Sequence, residues 1–316
     1  MDKKVSRIFA GTAFSPIQDG ADGTDFFEAA LANGINAFDT ARVYMEAEHS
    51  FGNWLEKSGR REEVVILSKC GHPDAMWNKR VNEKEMRKDL KKSLEELKTD
   101  YIDIYMLHRD DPDTEVAVAV ETFNAMHEEG NIGAFGASNW THTRIEEANE
   151  YAYKHNLIPF SVSSPNFCLA RQVEDPWGGG CVNISGPENQ EARAWYEKNQ
   201  MQVIAYASLG RGFFSGRMKS EYADHAGDYL DSFAMTGYAC SDNFERLRRC
   251  EIIAEKHGVT VAQIAMNWVF SHPLNIFAIA SMSKADRMKA NREALLLQLS
   301  DEEIAYLDLE TPEFCG

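Results

Sequence analysis

The sequence predicts a (β/α)8 barrel (TIM barrel), and two observations favour this fold. Short apolar runs of strand length alternate with longer segments of helical periodicity, which is typical of repeated βα units and a parallel sheet. Eight such runs occur in the 316 residues, and eight units favour a closed barrel over an open sheet. No linker or low-complexity tract interrupts the pattern. We therefore expect one domain that spans residues 1–316.

The candidate strands are short apolar segments that precede turn residues or helical stripes. They fall at residues 8–10, 37–39, 64–68, 102–107, 133–137, 160–163, 203–207 and 277–280. Helical stripes of apolar residues lie between them, the clearest over residues 86–97, 145–152 and 261–269. Asn82 with Glu85 and Ser300 with Glu303 have the spacing of capping boxes, which predicts helix starts at these points.

Two connections are too long to be simple turns, and both follow predicted strands. They span residues 168–187 and 208–241. In a barrel they lie at the C-terminal face of the strands, which is the face that carries active sites. Trp177 in the first loop precedes three glycines, which favours a lid that orders on ligand binding. The alternative is a static loop in which Trp177 is permanently buried.

The charge balance excludes some classes of partner. The net charge of −17 disfavours nucleic acid, which binds through clustered lysine and arginine, and anionic membranes. No apolar stretch has the length of a membrane helix and no signal-peptide pattern opens the chain, so we expect a cytoplasmic protein. The six cysteines are scattered without metal-binding spacing, which predicts reduced thiols and no metal site. The oligomeric state is not readable.

Polar residues follow successive predicted strands. Asp39 ends the second strand, Lys69 the third and His108 the fourth, and Tyr44 follows Asp39 by five residues. Taken singly, they could be a helix cap, a solvated charge, a structural histidine and loop packing. Their occurrence at the same end of successive strands instead predicts one shared site at the mouth of the barrel.

This group has a chemical logic. A free phenol is a weak acid, with a pKa of about 10. A neighbouring Lys69 ammonium would lower the pKa of Tyr44, and Asp39 would keep the ammonium charged and oriented. His108 could orient a substrate carbonyl while Tyr44 donates a proton to its oxygen. The hydride must then come from a cofactor, because no side chain supplies one.

At these residues the sequence resembles the aldo-keto reductase family over nearly the whole chain. The segments INAFDTARVY, VVILSKCG and YIDIYMLHR match those that carry the family's catalytic residues. GNIGAFGASNW and VIAYASLGRGFFSG resemble the segments that hold the nicotinamide and cover the pyrophosphate. The resemblance implies a nicotinamide-dependent reduction of an aldehyde or ketone. The catalytic residues that it implies are Asp39, Tyr44, Lys69 and His108.

The resemblance also implies the cofactor site. Ser138 and Asn139 would hold the carboxamide, with Ser164 where the family commonly has glutamine, and Tyr206 would stack on the nicotinamide. Leu209 and Gly210 would cover the pyrophosphate. The segment AIASMSKADRMKAN resembles the helix start that binds the 2′-phosphate of NADP, although Ala290 stands where many members have glutamate. Its matching residues, which favour NADPH over NADH, are Ser281, Ser283, Lys284, Arg287 and Asn291. Ser283 could also be simply the N-cap of this helix.

Two alternative functions stay open, and the sequence indicates the substrate only through candidate pocket residues. A lyase on the same fold could use Lys69 as a Schiff-base nucleophile, and a non-catalytic regulatory protein could keep fold and cofactor. Five aromatic residues are candidate walls of a pocket for a small carbonyl substrate, and the alternative for each is simple packing. They are Phe14, Trp77, Trp140, Phe167 and Trp177.

Overall fold

The computed structural model describes residues 3–312 and contains a closed barrel of eight parallel strands. Each strand pairs with the next along the chain, and β1 pairs with β8 to close the barrel. The predicted (β/α)8 fold is confirmed. The strands are β1 Ile8–Gly11, β2 Ala37–Asp39, β3 Val65–Cys70, β4 Ile102–Leu107, β5 Ile132–Ser138, β6 Val162–Ser164, β7 Gln202–Ala205 and β8 Ile276–Ala280.

Two predicted strands extend two residues beyond the observed ones, each for a local reason. The sixth strand does not include Phe160, because the Asn149 side chain bonds both its N–H and its carbonyl. The seventh strand ends at Ala205 rather than Ala207, because Ala207 has a φ of 52° and leaves the extended region. The barrel therefore releases Tyr206 into the loop that follows β7.

The helices surround the barrel. They are α1 Thr24–Ala32, α2 Ala47–Ser58, α3 Glu83–Leu97, α4 Val116–Glu128, α5 His142–Lys154, α6 Gln190–Asn199, α7 Ser232–Tyr238, α8 Ser241–His257, α9 Val261–Phe270, α10 Ala285–Ala294 and α11 Asp301–Leu307. The capping box of Ser300 and Glu303 opens α11 as predicted. Asn82 caps α3 through the N–H of Glu85, but the Glu85 carboxylate bonds Arg80 instead of closing the box.

The core consists of two apolar layers separated by the strands. Alternate strand residues face the barrel interior, because side chains along a strand point to opposite faces in turn. The buried residues of this inner cluster are Phe9, Ala37, Val65, Leu67, Ile104, Met106, Val162, Ile204 and Ile279. The intervening residues belong to a larger cluster shared with the helices.

This alternation decides which polar side chains reach the mouth. Asp39 continues the inner series that begins at Ala37, and Lys69 continues the series of Val65 and Leu67. His108 follows Ile104 and Met106 in the same way. By the same alternation, four more predicted site residues face the barrel interior, at the ends of β5 and β6 or directly after β7 and β8. They are Ser138, Ser164, Tyr206 and Ser281.

The two long loops differ in internal order. The 208–241 connection holds two 3-10 segments and α7. The 168–187 connection is fixed to the barrel at Asn166, whose N–H bonds Val182 and whose carbonyl accepts from Ile184. Gly178, Gly179 and Gly180 are exposed and all have positive φ. Within residues 3–312, no helix combines the length and the apolar character needed to cross a membrane.

Candidate active site

The mouth of the barrel brings together the four residues for which catalytic roles were predicted. The Lys69 ammonium contacts the Asp39 carboxylate and donates to the Thr40 carbonyl at 2.9 Å. Both charged side chains are buried, and each residue is 3% exposed. Lys69 Nζ lies 5.1 Å from the centre of the Tyr44 ring. The half-buried Tyr44 therefore sits directly above a buried ion pair.

His108 completes the group, and a second histidine lies behind it. The His108 ring meets Tyr44 edge to face, with ring centres 5.6 Å apart. His72 packs against the other side of His108 with ring centres 5.0 Å apart. Sequence reasoning missed His72, although it follows Lys69 by three residues at the same strand end. The two imidazoles and the phenol form one continuous aromatic wall.

The predicted effect of Lys69 on Tyr44 is only half right. Burial raises the pKa of Tyr44 above its ordinary value, and this outweighs the lowering by the charge and hydrogen bond of Lys69. Asp39 raises the pKa further. The net direction is upward, so Tyr44 keeps its proton at neutral pH and stands ready as an acid.

The two charges of the buried pair stabilise each other against the cost of burial. Burial lowers the pKa of Lys69, but the charges of Asp39 and then Tyr44 raise it by more, so the net direction is upward. Burial raises the pKa of Asp39, and the charge of Lys69 offsets this only in part. We conclude that Lys69 is charged at neutral pH, with Asp39 as its counter-ion.

His108 is neutral at the mouth. Burial holds its pKa well below the usual range, and the charges of Lys69, His72 and Arg109 lower it further. Its buried Nδ1 has no hydrogen-bond partner among residues 3–312. A neutral imidazole can donate a hydrogen bond from one ring nitrogen without carrying a proton that competes with Tyr44.

The residues predicted to hold the nicotinamide form a linked set at the ends of β5, β6 and β7. Ser138 Oγ donates to the Ser164 carbonyl at 2.8 Å. Tyr206 donates from its hydroxyl to Asn139 Oδ1 at 2.8 Å. Asn139 has a φ of 61°, a left-handed conformation that asparagine tolerates better than most residues. The structure thus joins the four residues on one side of the mouth.

A carboxamide fits this set. Ser164 Oγ is buried without a partner in the described part of the chain, so a ligand amide would satisfy it. The Asn139 side chain already has hydrogen-bond partners, since its Nδ2 donates to the His108 carbonyl and to Ser138 Oγ. Its Oδ1 also accepts from the Val182 N–H at 3.2 Å, which is the longest of its contacts. Asn139 would exchange this contact to bind the carboxamide.

The loop after β7 turns sharply beside Tyr206. Gly210 and Gly212 have positive φ, and Arg211 between them has a φ of 55°. The Arg211 guanidinium pairs with Asp231 at 3.0 Å. Leu209 is half-buried and Gly210 is buried, so the predicted pyrophosphate segment lies at the edge of the mouth.

The start of α10 decides against one of the two interpretations of Ser283. The N-cap is Lys284 rather than Ser283, and its side chain makes no capping hydrogen bond. Ser281, Ser283, Lys284 and Arg287 are exposed, and Asn291 is buried. Neither Lys284 nor Arg287 forms an ion pair within residues 3–312. An uncapped helix start with two unpaired cations suits a phosphate.

Two of the five predicted pocket walls are core residues. Phe167 is fully buried against Trp268 and His272. Trp140 is buried against Phe160 and lies under the Arg144 guanidinium. Neither has surface to offer a substrate.

The other three predicted walls keep some exposed surface. Phe14 is half-buried against Phe26 of α1. Trp77 is 57% exposed, and its ring lies close to Gly178. Trp177 is half-buried with its ring centre 5.7 Å from that of Tyr206. Trp77 therefore connects the loop after β3 to the 168–187 loop. Trp177 connects the 168–187 loop to the segment after β7.

A cavity of about 610 Å³ is a separate feature. It lies between the segment after β2, the loop after β3 and α3, and is lined by Arg42, His72, Arg80 and Lys92 among others. Tyr44 and His108 are not part of its wall. It flanks the site and is not where a carbonyl would meet Tyr44. No group of three or more potential metal ligands occurs among residues 3–312.

The fold and the mouth together place this chain among the (β/α)8-barrel oxidoreductases. It belongs to the Aldo/keto reductase family, whose sequence model matches residues 10–309. It is 28% identical to "Protein tas" of Escherichia coli, over 96% of this chain and 94% of the relative. It is 24% identical to "Aldo-keto reductase str7" of Strobilurus tenacellus (95% and 84%) and to "Norsolorinic acid reductase" of Aspergillus flavus (93% and 72%).

Replacing Trp177 by alanine should raise KM and cost less stability than the about 3–5 kcal/mol typical of a core aromatic. The reason is that Trp177 is half-buried on a loop tip, between Tyr206 and Arg211. Adding NADPH should also change a fluorescence component that Trp177→Phe removes. Trp77→Phe is the control, because Trp77 is an exposed tryptophan near the mouth whose fluorescence must be distinguished from that of Trp177. Large destabilisation with unchanged KM would identify Trp177 as packing and reject the lid.

Proposed function

We propose that this protein reduces an aldehyde or ketone to an alcohol with a hydride from NADPH and a proton from Tyr44. The observation that carries the proposal is the half-buried phenol beside the buried Lys69–Asp39 pair and the neutral His108. This arrangement supports proton donation to an oxygen that becomes an alkoxide.

Each residue has one task in this proposal. His108 donates a hydrogen bond to the carbonyl oxygen and orients it toward Tyr44. Tyr44 then gives its proton to that oxygen, and Lys69 stabilises the phenolate that remains. Asp39 acts through Lys69 as a positioning residue, because its carboxylate holds the ammonium in place. The bound nicotinamide would supply the hydride.

The Schiff-base alternative is less well supported. A nucleophilic lysine must lose its proton, and the pKa of Lys69 is raised by Asp39 and Tyr44. Borohydride trapping of the protein with an aldehyde tests this directly: a stable adduct at Lys69 would favour a lyase. The regulatory alternative is tested by oxidation of NADPH in the presence of a reactive aromatic aldehyde, which a non-catalytic protein would not accelerate.

We propose NADPH as the preferred cofactor, because the exposed start of α10 suits its 2′-phosphate. Arg287→Ala should weaken NADPH binding about tenfold or more and NADH binding little, since one charge-assisted contact contributes about 1.5–3 kcal/mol. Fluorescence titration with each cofactor measures both affinities.

Arg292→Ala is the matched control for this experiment. Arg292 is an exposed arginine in the last turn of the same helix, near Gly34 and away from the helix start. Its removal should leave both affinities unchanged. Equal affinity of the unmutated protein for NADPH and NADH would contradict the proposed role of the helix start.

A further inference from the structure

Arg109 is a buried cation that the proposed reaction does not use. It directly follows His108 at the end of β4 and is only 8% exposed. Its one hydrogen bond within residues 3–312 runs from Nη1 to the Cys181 sulfur at 2.6 Å. Its buried Nε has no acceptor in the described part of the chain. A guanidinium is rarely buried without an anion, because losing its hydration is costly.

The cations at the end of β3 and just after β2 and β3, next to Arg109 at the mouth, are paired with carboxylates. Lys69 contacts Asp39, Arg42 lies 2.5 Å from Glu48, and Arg80 lies 2.6 Å from Asp89. The two acids that follow Arg109 are also engaged.

Asp110 pairs with Arg144 at 3.5 Å, and Asp111 pairs with Lys79 at 2.6 Å. A thiol is a weak acceptor, and burial raises the pKa of Cys181, so that it stays uncharged beside Arg109. Arg109 thus forms no ion pair among residues 3–312, whereas the cations at the end of β3 and just after β2 and β3 each have a carboxylate partner.

Arg109 lies at the mouth, because it directly follows His108 at the end of β4. Its charge acts on Tyr44, His108, His72 and Tyr206, in each case toward a lower pKa. The groups proposed to hold the cofactor's phosphates, Gly210 and Arg287, follow β7 and β8 on the opposite side of the barrel. An anion that reaches Arg109 therefore belongs to the substrate.

A ligand at Arg109 would have to replace only the sulfur contact of the Cys181 side chain. Cys181 follows the three exposed glycines of the 168–187 loop, and the sulfur contact that covers the guanidinium is weak. A carboxylate would accept two parallel N–H groups from the planar guanidinium edge, which is a far stronger contact.

We propose that Arg109 binds a carboxylate of the substrate and that the protein acts on carbonyl compounds that carry one. The proposal rests on the proposed carbonyl reduction and names its substrate class. The carbonyl carbon would lie beside Tyr44 and His108, with the acid group directed toward Arg109 beneath the Cys181 segment.

The test compares 4-carboxybenzaldehyde with its neutral near-isostere 4-formylbenzamide. The unmutated protein should show a kcat/KM about tenfold or more higher for the acid, as one charge-assisted contact provides. Arg109→Gln should reduce the acid-to-amide ratio of kcat/KM by about the same factor, and Arg109→Lys by less. Using the ratio cancels any general loss of activity in the variants.

Lys79→Gln is the control, because Lys79 is a cation near the same loop whose charge is already paired with Asp111 and Asp113. It should leave the ratio unchanged. Turnover of both aldehydes without preference for the acid in the unmutated protein overturns the Arg109 proposal and leaves the reductase intact. An acid preference that persists in folded Arg109→Gln also overturns it.

A binding measurement separates the two proposals. Benzoate should bind the unmutated protein about tenfold or more tightly than benzamide, and this difference should vanish in Arg109→Gln. If neither aldehyde is reduced with NADPH or NADH, the proposed function fails, and the benzoate measurement alone decides the anion site. Equal binding of benzoate and benzamide would refute the site whatever the activity.

Discussion

Replacing Tyr44 by phenylalanine is expected to reduce kcat by about 10²–10⁴-fold, the usual contribution of a positioned acid. The variant keeps the aromatic ring that packs against His108 and lies above Lys69, so the fold should be unchanged. Steady-state kinetics with a reactive aldehyde and NADPH measure the loss, and circular dichroism with thermal unfolding checks the fold.

The pH dependence gives a second readout of the same assignment. Reduction needs the protonated phenol, and burial raises the pKa of Tyr44 above the ordinary 10. The rate should therefore fall only as pH rises through that raised pKa, and the residual rate of Tyr44→Phe should lack this limb. Tyr153→Phe, which alters an exposed tyrosine of α5, is the control. Near-normal turnover by folded Tyr44→Phe would contradict the assignment of Tyr44 as the acid.

The sequence was sufficient to predict the barrel and the cluster at its mouth because both follow from regular patterns. Strand residues alternate between inside and outside, and parallel strands end at one face. Asp39, Lys69 and His108 therefore had to converge once the strands were assigned. Ser164 and Tyr206 came instead from the family resemblance, and the length of β7 was misjudged at Ala207.

The errors arise where tertiary packing overrides local pattern. Phe167 and Trp140 lie in segments that follow strands, as wall residues would, but both turn into the layer between strands and helices. Ser283 has the residue type of an N-cap, yet the helix starts one position too late for it to act as one. Nothing local distinguishes these positions.

The electrostatic errors have a different origin. A neighbouring lysine predicts a lower phenol pKa, but the net direction depends on how much water the fold removes from Tyr44. Arg109 was overlooked for the same reason: an arginine at a strand end is ordinarily solvated, and only the fold reveals that this one is buried without a carboxylate.

Replacing Lys69 by methionine should affect stability as well as catalysis. It leaves the Asp39 carboxylate buried without its cation, and breaking a buried pair in this way costs about 3–5 kcal/mol. It should also lower kcat on the order of 10²–10³-fold, since a preorganised positive group beside the developing phenolate is lost. Because Lys69 lowers the pKa of Tyr44, its removal should move the alkaline limb of the pH profile upward.

The stability of Lys69→Met has a predictable dependence on pH. Burial raises the pKa of Asp39 in the folded state, and without Lys69 nothing among its named partners offsets that rise. The folded variant then binds a proton that the unfolded chain has released above its own carboxyl pKa of about 3.9. Stability is therefore highest on the acid side and falls as pH rises through the raised folded pKa. Urea unfolding at pH 5 and pH 7 should show a larger deficit at pH 7.

The double variant Asp39→Asn/Lys69→Met separates the two effects. It removes both charges, so it should recover a large part of the lost stability and its unfolding should lose the added pH dependence, while turnover stays low. A Lys69→Met protein as stable as the unmutated one at pH 7 would show that no buried pair needs this lysine. An unchanged rate and alkaline limb would show that Lys69 is not coupled to Tyr44, and the proposed proton donor would have to be sought elsewhere at the mouth.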